Sequence, residues 1–251
     1  MKKIILTISL ITIVNINYAQ VHISGYGLKA GINMYKFTNS SLAALKNLSS
    51  LNGFSMHNAY NIGINFGGVL QVALTNKLMI QPQLLYSQMG SKITLSQSLN
   101  ATITHKLNYL SIPVTLKYNF ANNISVFAGP QMSFLLGAKR NFVENNMGTI
   151  ITSNININDK IKPIDFAGLV GIEYTLPKQG VFFSAGFQIS LTDIAKIKTK
   201  AEGEIDLTKD AFLFDPLKLS AFNFTVGYIM KHKKYHKTFK ENKKSNSKKL
   251  R

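Results

Sequence analysis

Alternation of apolar residues with small or polar residues constrains the fold of this chain more than any other feature. It recurs in eight segments, near residues 23–34, 60–74, 78–90, 106–120, 124–137, 161–176, 181–192 and 218–230. A period of two places successive side chains on opposite faces of a β-strand. Each segment therefore predicts a strand with one apolar face and one small or polar face.

The lengths of the connections decide how these strands are arranged. Short links begin at Thr75, Ala121 and Pro177, after segments two, four and six, whereas long links follow segments one, three, five and seven. Strands of a soluble sandwich or a soluble lipid-binding barrel also alternate apolar with polar residues. Regular alternation of tight turns with long loops, however, is typical of outer-membrane barrels. The sequence predicts an all-β fold, a closed eight-stranded antiparallel up-and-down transmembrane β-barrel. Aromatic residues near the short links, at Tyr118, Phe120, Tyr174 and Tyr228, are expected to form the inner interfacial girdle.

The ends of the chain differ in composition from its body. Lys2 and Lys3 precede an apolar run at 4–14 and a small residue at Ala19, which predicts a cleaved signal peptide over residues 1–19 and export to the outer membrane. Residues 231–251 hold ten Lys or Arg and one acidic residue, half of the net charge of +18. The expected organisation is a barrel domain at 20–230 and a basic tail at 231–251.

The basic tail has alternative interpretations. Aromatic residues among its lysines would indicate nucleic-acid binding in a cytoplasmic protein, but the tail of an exported barrel lies in the periplasm, so no nucleic-acid partner is expected. Contact with anionic headgroups is one alternative. A disordered, solvated tail is the other.

Several stretches resemble a known family. They are "GLKAGIN", "IQPQLLYSQMG", "YLSIPVTLKYNF", "VFAGPQMSFLL", "DFAGLVGIEY" and "LTDI", in this order along the chain. With them the chain resembles the PorT-like outer-membrane β-barrel family of the Bacteroidetes. The resemblance implies an eight-stranded barrel in the outer membrane and little about activity, although a few members are accessory factors of type IX secretion and gliding. Members commonly end on an aromatic residue that closes the last strand, whereas this chain continues into its basic tail.

The "FAGPQ" stretch is a family marker rather than a site. Its residues, Phe127, Ala128, Gly129, Pro130 and Gln131, alternate within the fifth segment and are expected to lie in the barrel wall. Because proline lacks the amide that a neighbouring strand receives, a bulge or a locally lost ladder bond is predicted at Pro130.

The sequence offers little for catalysis. The chain has no cysteine, no phosphate-binding glycine motif and no histidines at metal-ligand spacing within one strand, so no catalytic residue, cofactor or metal is expected. A lipid hydrolase that uses His57 or His105 near the rim is an alternative.

Charged residues on the inward face are the most informative polar positions. They are Lys29, Lys117, Asp165 and Glu173. Lys117 and Glu173 each precede a short turn by four residues, so they should lie at similar heights near the periplasmic end. We predict an ion pair that helps to fill a narrow lumen, the alternative being two separately hydrated side chains.

A barrel of eight strands leaves a lumen filled by side chains, with inward glycines preventing overpacking. A general diffusion pore is therefore not expected. The predicted function is a structural or loop-mediated interaction role with outer-membrane lipids and secretion or envelope proteins as partners. The alternatives are a type IX secretion and gliding factor, or the lipid hydrolase.

Overall fold

The computed structural model describes residues 21–38, 54–97, 100–146, 149–195 and 218–231. The predicted signal peptide and most of the basic tail lie outside the described residues, as do residues 39–53 and 196–217 of two long loops. The elements are β1 (His22–Thr38), β2 (Phe54–Ala59), β3 (Asn61–Ala73), β4 (Leu78–Gln97), β5 (Asn100–Asn119), β6 (Ile124–Asn146), β7 (Thr149–Asn156), a 3-10 turn (Asn158–Lys160), β8 (Ile164–Thr175), β9 (Val181–Ser190) and β10 (Lys218–Lys231).

Eight of these strands form a closed ring. Their order is β1, β3, β4, β5, β6, β8, β9 and β10, and antiparallel pairing of β1 with β10 closes the ring. Neighbours in the ring follow one another along the chain, apart from β2 and β7, which pair only with β4 and β6. The predicted closed eight-stranded antiparallel up-and-down barrel is confirmed.

The alternation places apolar side chains outside and small or polar ones inside. On β10, for example, Phe224 and Tyr228 point outward and are 47% and 49% exposed, whereas Thr225 is buried inside. The aromatic residues predicted for the girdle are also on the outside: Tyr118, Phe120, Tyr174 and Tyr228. The outer surface is thus an apolar belt of the kind that lipid chains cover.

β4, β5 and β6 extend furthest beyond the segments that the alternation predicts. β4 runs to Gln97 and β5 begins at Asn100, so the segment expected to be a long loop is mainly a hairpin. With β6 they extend beyond the apolar belt at the end of the barrel that carries the long connections, which we call the upper end. β2 and β7 add one strand at each side of this extension. The result is a five-stranded sheet in the order β2, β4, β5, β6, β7, built from β-branched stretches such as "ITLS" and "TIIT".

Prolines in the wall interrupt the ladders without shifting the register. Pairing of β5 with β6 runs to Pro113–Gln131 and resumes at Leu116–Ala128, while Pro130 pairs regularly with Gly168 on β8. Of the two alternatives predicted at Pro130, the structure shows the lost ladder pairing and not the bulge. Pro82 interrupts the β3–β4 ladder in the same way.

A bulge does occur between β5 and β6, further toward the end with the long connections. Tyr109 pairs with Leu135 and Asn108 with Gly137, so Leu136 is an extra residue on β6. Below the bulge the odd-numbered residues of β6 point inward, and above it the even-numbered residues do. The bulge therefore turns Lys139 outward and Arg140 inward.

Among the described residues, no helix has the length and apolar character needed to cross a membrane.

Candidate functional site

The barrel lumen is the candidate site, and its upper end is closed by an apolar cluster. The cluster consists of Tyr35, Phe37, Met89, Ile93, Ile103, Leu107, Tyr109, Ala138, Ile157, Ile161, Ile194, Ala195, Leu219 and Ala221. Ten of its members come from the walls. The other four come from the segments that follow β7 and β9, which fold into the mouth through a bridge between Ile161 and Ala195. We call this cluster the cap, because its buried side chains pack together across the described part of the mouth.

The middle of the lumen is polar and nearly full. A cavity of about 40 Å³ remains there, lined by residues such as Lys29, Asn65, Gln83 and Gln188. Asn65 donates a hydrogen bond to Asn33 on β1, while Gln83 Oε1 and Gln188 Nε2 have no partner among the described residues. A water needs roughly 10–15 Å³ of such volume, so the cavity has room for a few waters that would satisfy these groups.

Lys117 and Glu173 lie together at the lower end of the lumen. Lys117 Nζ donates to Glu173 Oε1, and both side chains are 3% exposed. Thr175 Oγ1 is 3.4 Å from the same carboxylate oxygen. Below the pair, a vestibule of about 490 Å³ leads to the turns at Asn122 and Pro177. The structure thus brings together the two residues for which the sequence predicts an ion pair.

Aromatic rings fill the space around the pair, and they depend on glycines. A Cβ on Gly171 would lie 2.4 Å from Cζ of Phe127, and a Cβ on Gly227 would lie 2.3 Å from Cζ of Phe182. Phe127 belongs to the "FAGPQ" stretch, whose members alternate in the wall with Gln131 inside and Ala128 and Pro130 outside. The stretch therefore contributes a lumen-filling ring.

The other two inward charges lie at different heights. Asp165 is fully buried near the cap, where its carboxylate accepts hydrogen bonds of 2.9 Å from Ser190 and Thr192. Lys29 lines the central cavity. The structure does not bring Lys29 and Asp165 into contact with each other.

The two histidines considered for hydrolysis lie on opposite faces of the five-stranded sheet formed by β2, β4, β5, β6 and β7, which we call the outer sheet. His57 is on the exposed outward face, whereas His105 is completely buried in the cap beside the ring of Phe37, at 5.2 Å between centroids. Both ring nitrogens of His105 lack a hydrogen-bond partner among the described residues. Burial, and then the nearby Arg140, lower the pKa of His105 to about 3. A neutral histidine sealed in an apolar cap has no access to a lipid substrate.

No metal centre is apparent in the described part of the chain, which has no group of three or more potential metal-ligating side chains.

Sequence reasoning missed the cap. Ile157, Ile194 and Ala195 lie in predicted loops, and Ile161 was expected to begin the sixth strand, which in the structure starts at Ile164. Nothing in the alternation indicated that these four residues fold inward. The only available signal was the presence of isolated large apolar residues in otherwise polar loops.

A closed barrel with a polar interior and an apolar belt is the architecture of an outer-membrane protein, and the family comparison agrees with it. The model of the family described as outer membrane protein beta-barrel domain matches residues 18–196. The chain belongs to this family. No curated protein is detectably similar in sequence.

Solved structures of outer-membrane barrels are similar in fold. Neisserial surface protein A shares 11% identity over 82% of this chain and 98% of its own, with a TM-score of 0.40. Ail, the attachment invasion locus protein of Yersinia pestis, shares 9% over 83% and 100%, with a TM-score of 0.40. OprG from Pseudomonas aeruginosa shares 11% over 83% and 97%, with a TM-score of 0.38.

Proposed function

We propose that the protein is a closed, non-conducting outer-membrane barrel whose role is structural or depends on interactions of its outer end. The observation that carries the proposal is the filled lumen. Among the described residues, the apolar cap covers the upper mouth, the buried Lys117–Glu173 pair lies in the lower part, and a cavity of about 40 Å³ lies between them. An interior filled in this way favours a barrel that does not conduct hydrated sugars or amino acids.

Permeability of reconstituted vesicles tests this proposal. Liposomes that contain the folded, full-length barrel should not swell in an iso-osmotic sugar solution, and planar bilayers should show no stable open-channel steps. Liposomes with a general porin, prepared in the same way, provide the positive control. Swelling comparable to that of the porin liposomes would show that the protein is a diffusion pore.

The outer sheet supports an interaction role. β2 and β7 each pair with one strand within the described residues, so the second edge of each has no ladder partner there. β7 is exposed on both faces, with Ile150 68% exposed and Ile151 50% exposed. Free edges and exposed apolar side chains are features that a peptide strand or an envelope protein would use.

The resemblance to the PorT-like family of the Bacteroidetes supports a narrower assignment. On this proposal the protein is exported by its signal peptide and contributes to type IX secretion or gliding. Co-purification of translocon components with the tagged barrel from native membranes would support the assignment. A clean single-component purification under mild detergent would speak against it.

We propose no enzymatic activity, because the buried His105 and the outward His57 have no shared site. For the basic tail we propose contact with anionic headgroups on the periplasmic side, supported by its ten basic residues. Removing residues 231–251 should then weaken binding of the barrel to anionic vesicles added from the periplasmic side. Unchanged binding would indicate a solvated tail, and no nucleic acid is expected as a partner.

A further inference from the structure

Two lysines stand side by side on the outer surface of the barrel. Lys106 on β5 and Lys139 on β6 are register partners, and both side chains are exposed. Like charges directly opposite each other destabilise an antiparallel pair. The bulge at Leu136 is what turns Lys139 to the same face as Lys106, so the pairing results from a specific irregularity in the wall.

Two other lysines near the upper rim have partners within the chain. Lys36 Nζ lies 4.7 Å from the ring centroid of Tyr60, and Lys162 Nζ lies 3.5 Å from the carboxylate of Asp193. The side chains of Lys106 and Lys139 have no such partner among the described residues. Within the part of the chain that the structure describes, their charges are therefore unpaired.

Amide side chains surround the lysine pair and complete a groove. Asn156 on β7 is the register partner of Lys139, and Asn154 is the partner of Asn141 one step further up. These residues, with Ile155, line an open groove of about 420 Å³. Amide nitrogens are hydrogen-bond donors, so the groove combines two cations with several neutral donors.

The described strands around the groove carry only positive charges on their outward face. The outward charged residues on the described parts of β4, β5, β6 and β7 are Lys92, Lys106 and Lys139, and Glu144 lies on the opposite face. Lys92 pairs with Thr104, two residues from Lys106 along β5, and adds a third positive charge nearby. The outward charges on the described parts of these four strands are thus all positive.

The height of the groove indicates where the anion would come from. The apolar belt ends at Leu110 on β5 and Leu136 on β6, and Lys106 and Lys139 follow four and three residues further up. At about 3.3 Å per residue and a tilt near 40°, this is roughly 8–10 Å above the end of the belt. Lysine side chains can also bend toward the interface, so the pair lies in the headgroup layer of the outer leaflet.

We propose that Lys106 and Lys139, together with Asn141, Asn154 and Asn156, form a binding site for a phosphate group carried by an outer-leaflet glycolipid. Lysine ammonium groups pair with phosphate as point charges, and amide donors satisfy the remaining phosphate oxygens. The site would fix one lipid against the β5–β7 side of the barrel. This proposal is independent of whether the lumen conducts, so the vesicle-swelling result leaves it unaffected.

A matched pair of double variants tests the site. K106Q/K139Q removes the two charges of the groove, whereas K77Q/K178Q removes two exposed charges from the periplasmic turns at the other end of the barrel. Each folded, full-length protein in neutral detergent is titrated with lipid A that carries two phosphates and with dephosphorylated lipid A, and bound lipid is counted by native mass spectrometry. Heat-modifiable gel mobility verifies that each variant is folded.

The wild type and K77Q/K178Q should bind phosphorylated lipid A equally well and should prefer it to the dephosphorylated form. K106Q/K139Q should lose about tenfold or more in affinity, and K106R/K139R should restore binding. Equal binding by K106Q/K139Q and the wild type, or no preference for the phosphorylated lipid, would overturn the proposal. Complete displacement of lipid by millimolar inorganic phosphate would also overturn it, because the site would then belong to a free anion.

Discussion

Replacing Lys117 with methionine should destabilise the barrel by leaving Glu173 buried without its partner. Both side chains are 3% exposed, and the next donor to the carboxylate is Thr175 Oγ1 at 3.4 Å. Removing one member of a buried ion pair costs about 3–5 kcal/mol. Lys29 lines the central cavity together with Glu173 and offsets part of this cost, so we expect about 3 kcal/mol, roughly a hundredfold change in the folded-to-unfolded ratio.

Urea unfolding in detergent micelles or liposomes measures this change, with gel mobility as the readout because the chain contains no tryptophan. The double variant K117M/E173Q removes both charges and should recover most of the lost stability, since a buried pair replaced by neutral groups is often nearly neutral. E173Q alone should be destabilised like K117M. If K117M is as stable as the wild type, or if the effects of the two single changes simply add in the double variant, the two residues do not act as a buried pair.

Two further changes test the packing of the lumen and the cap. Gly171→Ala would place a Cβ 2.4 Å from both the ring of Phe127 and the backbone oxygen of Ala185, and it should cost about 1–3 kcal/mol in urea unfolding. Gly168→Ala meets nothing within 4 Å and should change stability by less than about 0.5 kcal/mol, so equal effects would contradict the packing argument. Because the pKa of His105 is lowered from 6.5 to about 3 in the folded state, the unfolded chain binds the extra proton, so stability should fall as pH decreases from 6.5 toward 3. H105L should lack this part of the pH dependence when its urea midpoints at pH 7.5 and 4.5 are compared with those of the wild type. An identical pH dependence in H105L and the wild type would show that His105 does not contribute to it.

The alternation was enough to predict the barrel, because burial in a wall with lipid on one side imposes the same period on every strand. It also predicted the meeting of Lys117 and Glu173, because each lies four residues from a tight turn and tight turns fix the register of the strands that they join.

Features above the membrane belt were less predictable. The extension of β4 and β5 is solvated on one face and carries Ser, Thr and Asn, so its composition is like that of a loop. The outward position of Lys139 depends on the bulge at Leu136, and a single extra residue reverses every face beyond it. The cap depends on loop residues that pack only once the walls surround them.

The composition of the cap has a consequence for assembly. Tyr35 and Phe37 on the first strand pair with Ala221 and Leu219 on the last strand, so the cap includes both sides of the seam where the ring closes. Its apolar contacts can be completed only after these two strands have met. The cap therefore stabilises the pairing of β1 with β10. Once it has formed, reopening the barrel requires apolar side chains to be returned to water, so insertion becomes difficult to reverse.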